Sequence, residues 1–319
     1  MKRIHVGPLP PPYGGISVYL YRLSKLEKES KFIDQKQFLG KKNLRFWIIK
    51  QIFCFNKKNF IIHSMLLRNQ LIFYLLSYIS MHKFSLVIHG KQLIDKYYDS
   101  KFFKRQIIRT MLNKANFIQV TNPDYKFFLN RFGITNKKMI IKNAFLPPPI
   151  QEEELILKSY EKKTFQFLNT KKPKIIANAY GLVFYKNTDL YGLDLCIDLI
   201  NSLKKYFPNI GLIFALANGK INLNYLIQMK NRIKELNIKN NFYFLIGQKE
   251  IWPLFKKVDL MIRPTCVDAY GVSTEEALYF NCPVIASNVC KRPEGTILFK
   301  NRDLNDLYQK AKNALEKKK

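Results

Sequence analysis

Apolar residues in this chain recur in two rhythms. Short runs at Lys2–Val6, Ser85–Ile88, Phe117–Val120 and Lys138–Ile141 have the length of strands. Elsewhere apolar residues stand three and four apart, which is helical spacing. In Ile16–Lys28 they fall at 16, 19, 20, 23 and 26. In Lys101–Lys114 the spacing sets Phe103, Ile107, Ile108, Met111 and Leu112 on one face, with Lys104, Arg105 and Arg109 among the rest. The second half alternates more regularly. It predicts strands at Lys174–Asn178, Ile210–Ala215, Phe242–Ile246, Leu260–Arg263 and Pro283–Ala286, and helices at 193–206, 223–236, 250–257, 273–281 and 303–316. Strands alternating with helices predict an α/β fold with parallel sheets and ligands at the carboxyl ends of the strands.

Proline divides the chain. Leu146-Pro147-Pro148-Pro149 stops regular structure, and a charged segment containing a helix follows. The reading is a first domain over 1–148, a linker over 149–172 and a second domain over 173–319. The final helix is placed to pack back on the first domain. The most apolar stretch, Phe60–Ser80, holds His63, Arg68, Asn69 and Gln70 in its interior, which a transmembrane helix would not carry. The N-terminus turns into Gly and Pro by residue 7, unlike a signal peptide. Cys54, Cys196, Cys266, Cys282 and Cys290 are odd in number and form no C-x-x-C, which argues against a disulfide framework or a zinc site. The expected setting is the cytoplasm, with the protein soluble or peripheral at a membrane.

Charge sharpens this picture. The formal net charge is +31. Residues 1–150 carry 27 Lys/Arg against 6 Asp/Glu, and residues 151–319 carry 27 against 17. So basic a first half suits anionic partners, although an Asn-, Ile- and Phe-rich composition leaves a compositional origin open. It also holds the aromatic, basic stretch Lys41–Lys58, with Phe46, Trp47, Phe53 and Phe55. Nucleic acid is not the expected partner, because no zinc knuckle, basic zipper or RRM-like aromatic motif accompanies the charge.

The sharpest chemical signal is Arg263-Pro-Thr-Cys-Val-Asp268-Ala-Tyr-Gly271-Val272-Ser273-Thr-Glu-Glu276. It follows a strand and opens a helix. Gly271 permits close backbone approach, and the free N–H groups of residues 272–274 lie at the helix N-terminus, where the dipole favours phosphate. Asp268 and Glu276 flank that point, and carboxylates accept hydrogen bonds from sugar and ribose hydroxyls. Spacing alone leaves open that Ser273 is an ordinary helix cap and the acids merely exposed.

The segment resembles the E-x7-E region of family 4 glycosyltransferases (glycosyl transferases group 1), with Asp268 in place of the first Glu. The likeness extends to Asn281–Ser287, upstream to Gly247–Trp252 and Phe255–Leu260, and downstream to Arg292-Pro293-Glu294-Gly295. The resemblance implies the GT-B fold, two Rossmann-like domains facing across a cleft. It implies retaining transfer of a hexose-type sugar from a UDP- or GDP-linked donor, without a metal ion or other cofactor; no Asp-x-Asp occurs in the chain. It also makes plausible a lipid-linked saccharide acceptor at an anionic membrane surface, as in bacterial polysaccharide, O-antigen or capsule assembly.

Carried over by position, Asp268 and His89 face the transferred sugar, Glu276 holds the ribose, and Gly14, Gly15, Gly247, Gly271, Val272, Ser273 and Arg292 bind the donor. Asn143, in the family's pre-linker position, reads as structural. The chain departs from the family after the first strand of the second domain. The usual Gly-Arg and Lys-Gly pairs are missing, and Tyr191-Gly192 stands in the second place. A departing diphosphate needs cations or dipoles. Lys186 is the nearest candidate, with Arg263 and Arg292 as alternatives. The missing pair also motivates a second reading, a non-catalytic sugar- or lipid-binding subunit.

Overall fold

A computed structural model describes residues 2–11, 13–38, 41–54, 56–63, 66–134, 138–142, 144–247 and 249–317. Asn143 and Phe55 lie outside these residues, as does the side chain of Phe46. The chain separates into two compact units, residues 1–11 with 15–146 and residues 12–14 with 147–319.

The first unit runs β1 (Lys2–Gly7), α1 (Gly15–Leu26), β2 (Lys31–Asp34), α2 (Lys41–Ile52), β3 (Lys58–Ile62), α3 (Leu67–Ile79), β4 (Lys83–Ile88), α4 (Gln92–Tyr98), α5 (Phe102–Lys114), β5 (Ile118–Val120), α6 (Pro123–Arg131) and β6 (Met139–Ile141). Its strands form one parallel sheet in the order β2-β1-β3-β4-β5-β6. The apolar stretch Phe60–Ser80 resolves into the end of β3 and helix α3, with Asn69 and Gln70 buried.

Helix α5 corrects the single apolar face expected of it. Ile108, Met111 and Leu112 are buried, but Phe102 is 67% exposed, Phe103 81% and Ile107 48%. The buried stripe is therefore narrow, and a second apolar stripe points outward beside the exposed Lys101 and Lys104. In α2, Trp47 turns inward against Phe60 and Phe73, while Phe53, just beyond the helix, is exposed.

The second unit runs α7 (Glu153–Lys158), α8 (Lys162–Thr170), β7 (Lys174–Gly181), β8 (Phe184–Tyr185), β9 (Thr188–Asp189), α9 (Leu193–Leu203), β10 (Gly211–Asn218), α10 (Leu223–Glu235), β11 (Phe242–Ile246), α11 (Trp252–Phe255), β12 (Leu260–Arg263), α12 (Val272–Tyr279), β13 (Val284–Ser287), β14 (Ile297–Phe299) and α13 (Leu304–Glu316). Its parallel sheet has the order β11-β10-β7-β12-β13-β14, and β8 and β9 make a separate antiparallel hairpin.

Both faces of this sheet are covered. Ile175, Ala177, Leu212, Phe214, Leu260 and Ile262 enter one core, and Ile176, Ile213, Ala215, Met261 and Val284 enter the other. Alternate side chains of a strand point to opposite faces, so a sheet buried on both sides reads as a continuous apolar run. One expectation changes here. Residues 149–172 are not a free linker, because Tyr160 and Leu168 are buried in the second unit's core. In the final helix Leu307, Ala311 and Leu315 fill the second unit's own core.

Among the described residues no helix is long and apolar enough to cross a membrane.

Candidate active site

At the carboxyl edge of the second sheet, one carboxylate gathers two guanidinium groups. Asp268 Oδ2 accepts from Arg263 Nε at 3.0 Å and Arg292 Nη1 at 2.8 Å, and also from the Thr265 hydroxyl at 3.3 Å. Arg292 reaches further, donating through Nε to Ser287 O and through Nη2 to the hydroxyls of Thr265 and Ser287. Arg263 crosses to the neighbouring strand, where its Nη1 donates to Asn178 O at 3.1 Å and Asn178 Oδ1 at 3.2 Å, and its guanidinium stands over the Tyr191 ring at 5.3 Å. Burial by itself raises the Asp268 carboxyl, but Arg263 and Arg292 outweigh it and hold it far below the usual carboxylate range. Asp268 therefore stays ionised as the anchor of two arginines. Oδ2 is occupied by three donors, and Oδ1 accepts from the Ala269 N–H at 2.9 Å.

The same cluster fixes the turn into α12. Gly271 has φ +82°, and a Cβ there would lie 2.6 Å from Arg292 Nη1, so both conformation and space require glycine. Ser273 does not cap its own helix; its hydroxyl donates to Asn178 Oδ1 at 3.0 Å. Thr274 closes the turn by donating to Gly271 O. Among the described residues no hydrogen-bond partner occupies the N–H groups of Val272 and Ser273, the first two of α12. The N-terminus of α9, also on this edge, is closed. Asp189 accepts from the N–H groups of Tyr191, Gly192 and Leu193, the last at 2.8 Å, and fills the start of α9 with a carboxylate of the protein's own. An anion thus meets the open terminus of α12 beside Arg263 and Arg292.

The remaining second-unit candidates are less concentrated. Glu276 is buried one turn inside α12. Gly247, at φ +130°, ends β11 and donates from its N–H to Leu216 O. Lys186 is exposed at the tip of the β8–β9 hairpin. It and Asn187 have positive φ, as a two-residue hairpin turn demands, and its Nζ lies over the adjacent Tyr185 ring. No hydrogen bond ties Lys186 to the arginine cluster among the described residues, so the structure brings Arg263 and Arg292 together and leaves Lys186 apart.

In the first unit Gly15 opens α1, with Gly14 immediately before it. A Cβ on Gly15 would meet open space, so packing does not require the glycine. His89 follows β4 and is half-buried. Its Nε2 lies 2.9 Å from His63 Nδ1, His63 Nε2 lies 3.0 Å from His5 Nδ1, and His5 Nε2 lies 3.2 Å from Glu27 Oε2. Burial lowers the basicity of His5, lowers His63 strongly and takes His89 down to about 3, so all three rings are neutral at pH 7. Among the described residues no group of His, Cys, Asp or Glu converges as a metal site.

Residues 160–314 match the family model described as glycosyl transferases group 1. The match falls within the second unit and covers just under half of the chain. A curated relative, the lipopolysaccharide glucosyltransferase WaaG of Escherichia coli strain K12, is 24% identical over 130 residues, which covers 38% of this chain. The aligned part spans only 33% of that relative. Among solved structures, Anabaena Alr3699/HepE in complex with UDP-glucose superposes with a TM-score of 0.71 at 12% identity, covering 100% of this chain and 91% of the other. A trehalose-phosphate synthase (UDP-forming) from Burkholderia xenovorans gives 0.69 at 10% identity, covering 99% and 92%. The fold is GT-B, with two Rossmann-like α/β domains.

Several residues of the second unit's cluster were not legible as such. Asn178, Thr265 and Ser287 are small polar residues at strand ends, and only the adjacency of β7, β12 and β13 brings them together. The signal for Arg263 was available: an arginine closing an otherwise apolar central strand is costly unless paired.

Proposed function

We propose that this protein is a retaining glycosyltransferase that moves a hexose-type sugar from a UDP- or GDP-sugar onto a lipid-linked saccharide acceptor. One observation carries the reading: an open helix N-terminus at Gly271–Ser273 beside Arg263 and Arg292, which Asp268 holds in place. Oriented N–H groups and two fixed cations suit a diphosphate whose charge grows as the sugar departs. Arg263 takes the position left vacant by the family's missing arginine, since it reaches Asn178 of β7 from the next strand. The acceptor oxygen bonds to the anomeric carbon on the face from which the diphosphate leaves, and the acceptor proton passes to a phosphate oxygen. Glu276 holds the ribose, Gly14, Gly15 and Gly247 let backbone approach the donor, and His89 contacts the sugar. The reaction needs no metal ion. The names of the relatives, a lipopolysaccharide glucosyltransferase and a protein solved with UDP-glucose, support a UDP-sugar donor and a surface-polysaccharide product.

The site of action is the cytoplasmic face of an anionic membrane. Phe102, Phe103 and Ile107 stand exposed along α5 with Lys101 and Lys104, an arrangement that inserts rings at the head-group level while cations meet lipid phosphate.

The test is incubation of the full chain with UDP- and GDP-sugars and a lipid-linked acceptor in EDTA, with the product anomer read by NMR. Transfer with retained configuration is expected. Donor binding without hydrolysis or transfer would favour the non-catalytic subunit that Tyr191 in the usual lysine position suggests. Co-sedimentation with anionic vesicles should be lost at 1 M salt, where the screening length is about 3 Å, and weakened by Lys101→Glu with Lys104→Glu. Arg105 is not a clean probe of lipid contact, because it donates to Tyr97 O and Tyr98 O at the end of α4.

A further inference from the structure

The first unit holds a continuous string of four polar side chains, three of which the proposed reaction leaves without a task. Glu27 follows α1, His5 lies within β1, and His63 and His89 directly follow β3 and β4. Because β1, β3 and β4 are adjacent, the string climbs the sheet from the end of α1 to the loops at the carboxyl edge. Its members are held by packing. Phe32 stacks on His5 at 4.7 Å and 9°, and Tyr19 meets His89 edge-on at 5.0 Å. A Cβ on Gly7 would lie 2.8 Å from His63 Cβ, so β1 has made room for that ring. The imidazoles are bonded head to tail and do not converge on a point, which suits proton order and not metal binding.

Counting protons gives the string a direction. Burial raises the Glu27 carboxyl, but the Ser30 hydroxyl, His5 and Arg3 together outweigh it, so Glu27 is an ionised acceptor. His5 must then donate from Nε2, which leaves its Nδ1 bare. His63 donates to that atom from Nε2 and is left with a bare Nδ1. His89 donates to it in turn from Nε2. Three neutral rings carry three protons, the three links use all of them, and His89 Nδ1 is left as a lone pair. No hydrogen bond reaches that atom among the described residues.

We infer that Glu27, His5 and His63 are positioning residues that lock His89 in its Nε2–H tautomer, so that His89 meets a substrate hydroxyl as an acceptor through Nδ1. The substrate part of this inference rests on the sugar-transfer reading above; the tautomer part does not. A ring free to exchange tautomers would present a donor for part of the time and would repel the N–H or O–H it should orient.

The experiment is a long-range proton–nitrogen spectrum of the full chain labelled in histidine. The chain has only four histidines, and His82, whose Nε2 must donate to Gln51 O at 3.1 Å, is an internal standard for the Nε2–H form. His89 is expected to match it. His5→Phe keeps a ring against Phe32 and removes both nitrogens, so His89 should spread over both tautomers. Turnover should then fall with the fraction of His89 in the accepting form, about twofold for an even mixture, with the donor KM changed less. Glu27→Gln, whose amide donates as readily as it accepts, should give the same spectral change if His5→Phe does not fold. A His89 protonated on Nδ1 or already mixed in the unaltered chain overturns the inference. So does a tautomer that neither variant moves, or a turnover that ignores its loss. A locked His89 in a chain without transfer activity keeps the positioning string and counts against the transfer reading alone.

Discussion

The two units present polar groups at the carboxyl edges of similar six-stranded parallel sheets, yet they keep those groups in order by opposite means. In the first unit three neutral imidazoles hand one hydrogen bond to the next and end on Glu27. In the second a largely buried carboxylate binds two arginines outright. A string of neutral groups costs little desolvation but depends on the protonation of every member. An ionic cluster costs more desolvation, offset by short charged hydrogen bonds, and is indifferent to pH near neutrality. The scaffold therefore does not dictate the electrostatics of its edge; the few side chains at the strand ends do.

Acid should expose this difference most strongly. Histidines held neutral when folded take up protons once unfolded below about pH 6.5. Stability from the first unit is therefore intact above that pH and is lost as pH falls towards the His89 value of about 3. Each such ring steepens the loss by up to about 1.4 kcal/mol per pH unit. For Asp268 the folded value is depressed, so its contribution is present above about pH 4 and fades only below that. Hydrogen exchange followed by mass spectrometry from pH 7 to 4 should show β1, β3 and β4 losing protection while β7, β12 and β13 keep theirs. Simultaneous loss would erase the contrast.

The next largest effect is expected from Asp268→Ala, which strands the buried Arg292 and the largely buried Arg263 and should cost roughly 3–5 kcal/mol in denaturant unfolding. A cost below ~1 kcal/mol would mean that solvent already screens the cluster. Removing Arg263 tests the site itself. Arg263→Ala should lower turnover roughly a hundredfold, in the range found when one preorganised donor to developing charge is deleted. Lys186→Ala should be the quietest change, within about 0.5 kcal/mol in stability. Its turnover should also stay close to that of the unaltered chain. A larger loss from Lys186→Ala than from Arg263→Ala would return the diphosphate to the hairpin.

The second unit was the more legible in sequence for a physical reason. Phe242–Ile246 and Leu260–Arg263 are strands with the bounds their apolar runs predict, because both faces of that sheet are covered. In the first unit β2 buries little besides Ile33 and gave no run to read. Helix α6 carried an unread start signal: Asn122 caps it by accepting from Asp124 N, and Pro123 takes its first position. The site shows the same division. Asp268, Gly271 and Glu276 lie within one turn and helix, so spacing exposed them. His5, His63 and His89 lie far apart in the chain, and only the order β1-β3-β4 makes them neighbours. The purpose of Arg263 likewise depended on knowing that β12 lies beside β7.

Helix α13 has a consequence for how the chain is made. Leu307, Ala311 and Leu315 cover a core that includes Ile285 and Phe299, both essentially without solvent contact. During synthesis this helix emerges after every strand it shelters. At typical elongation speeds of about 5–20 residues per second, the second sheet spends an interval in the cell with one greasy flank bare. The first sheet is by then free to fold, but the second unit must wait for its lid of leucines and alanine. A nascent chain paused near residue 303 would be the species that chaperones meet.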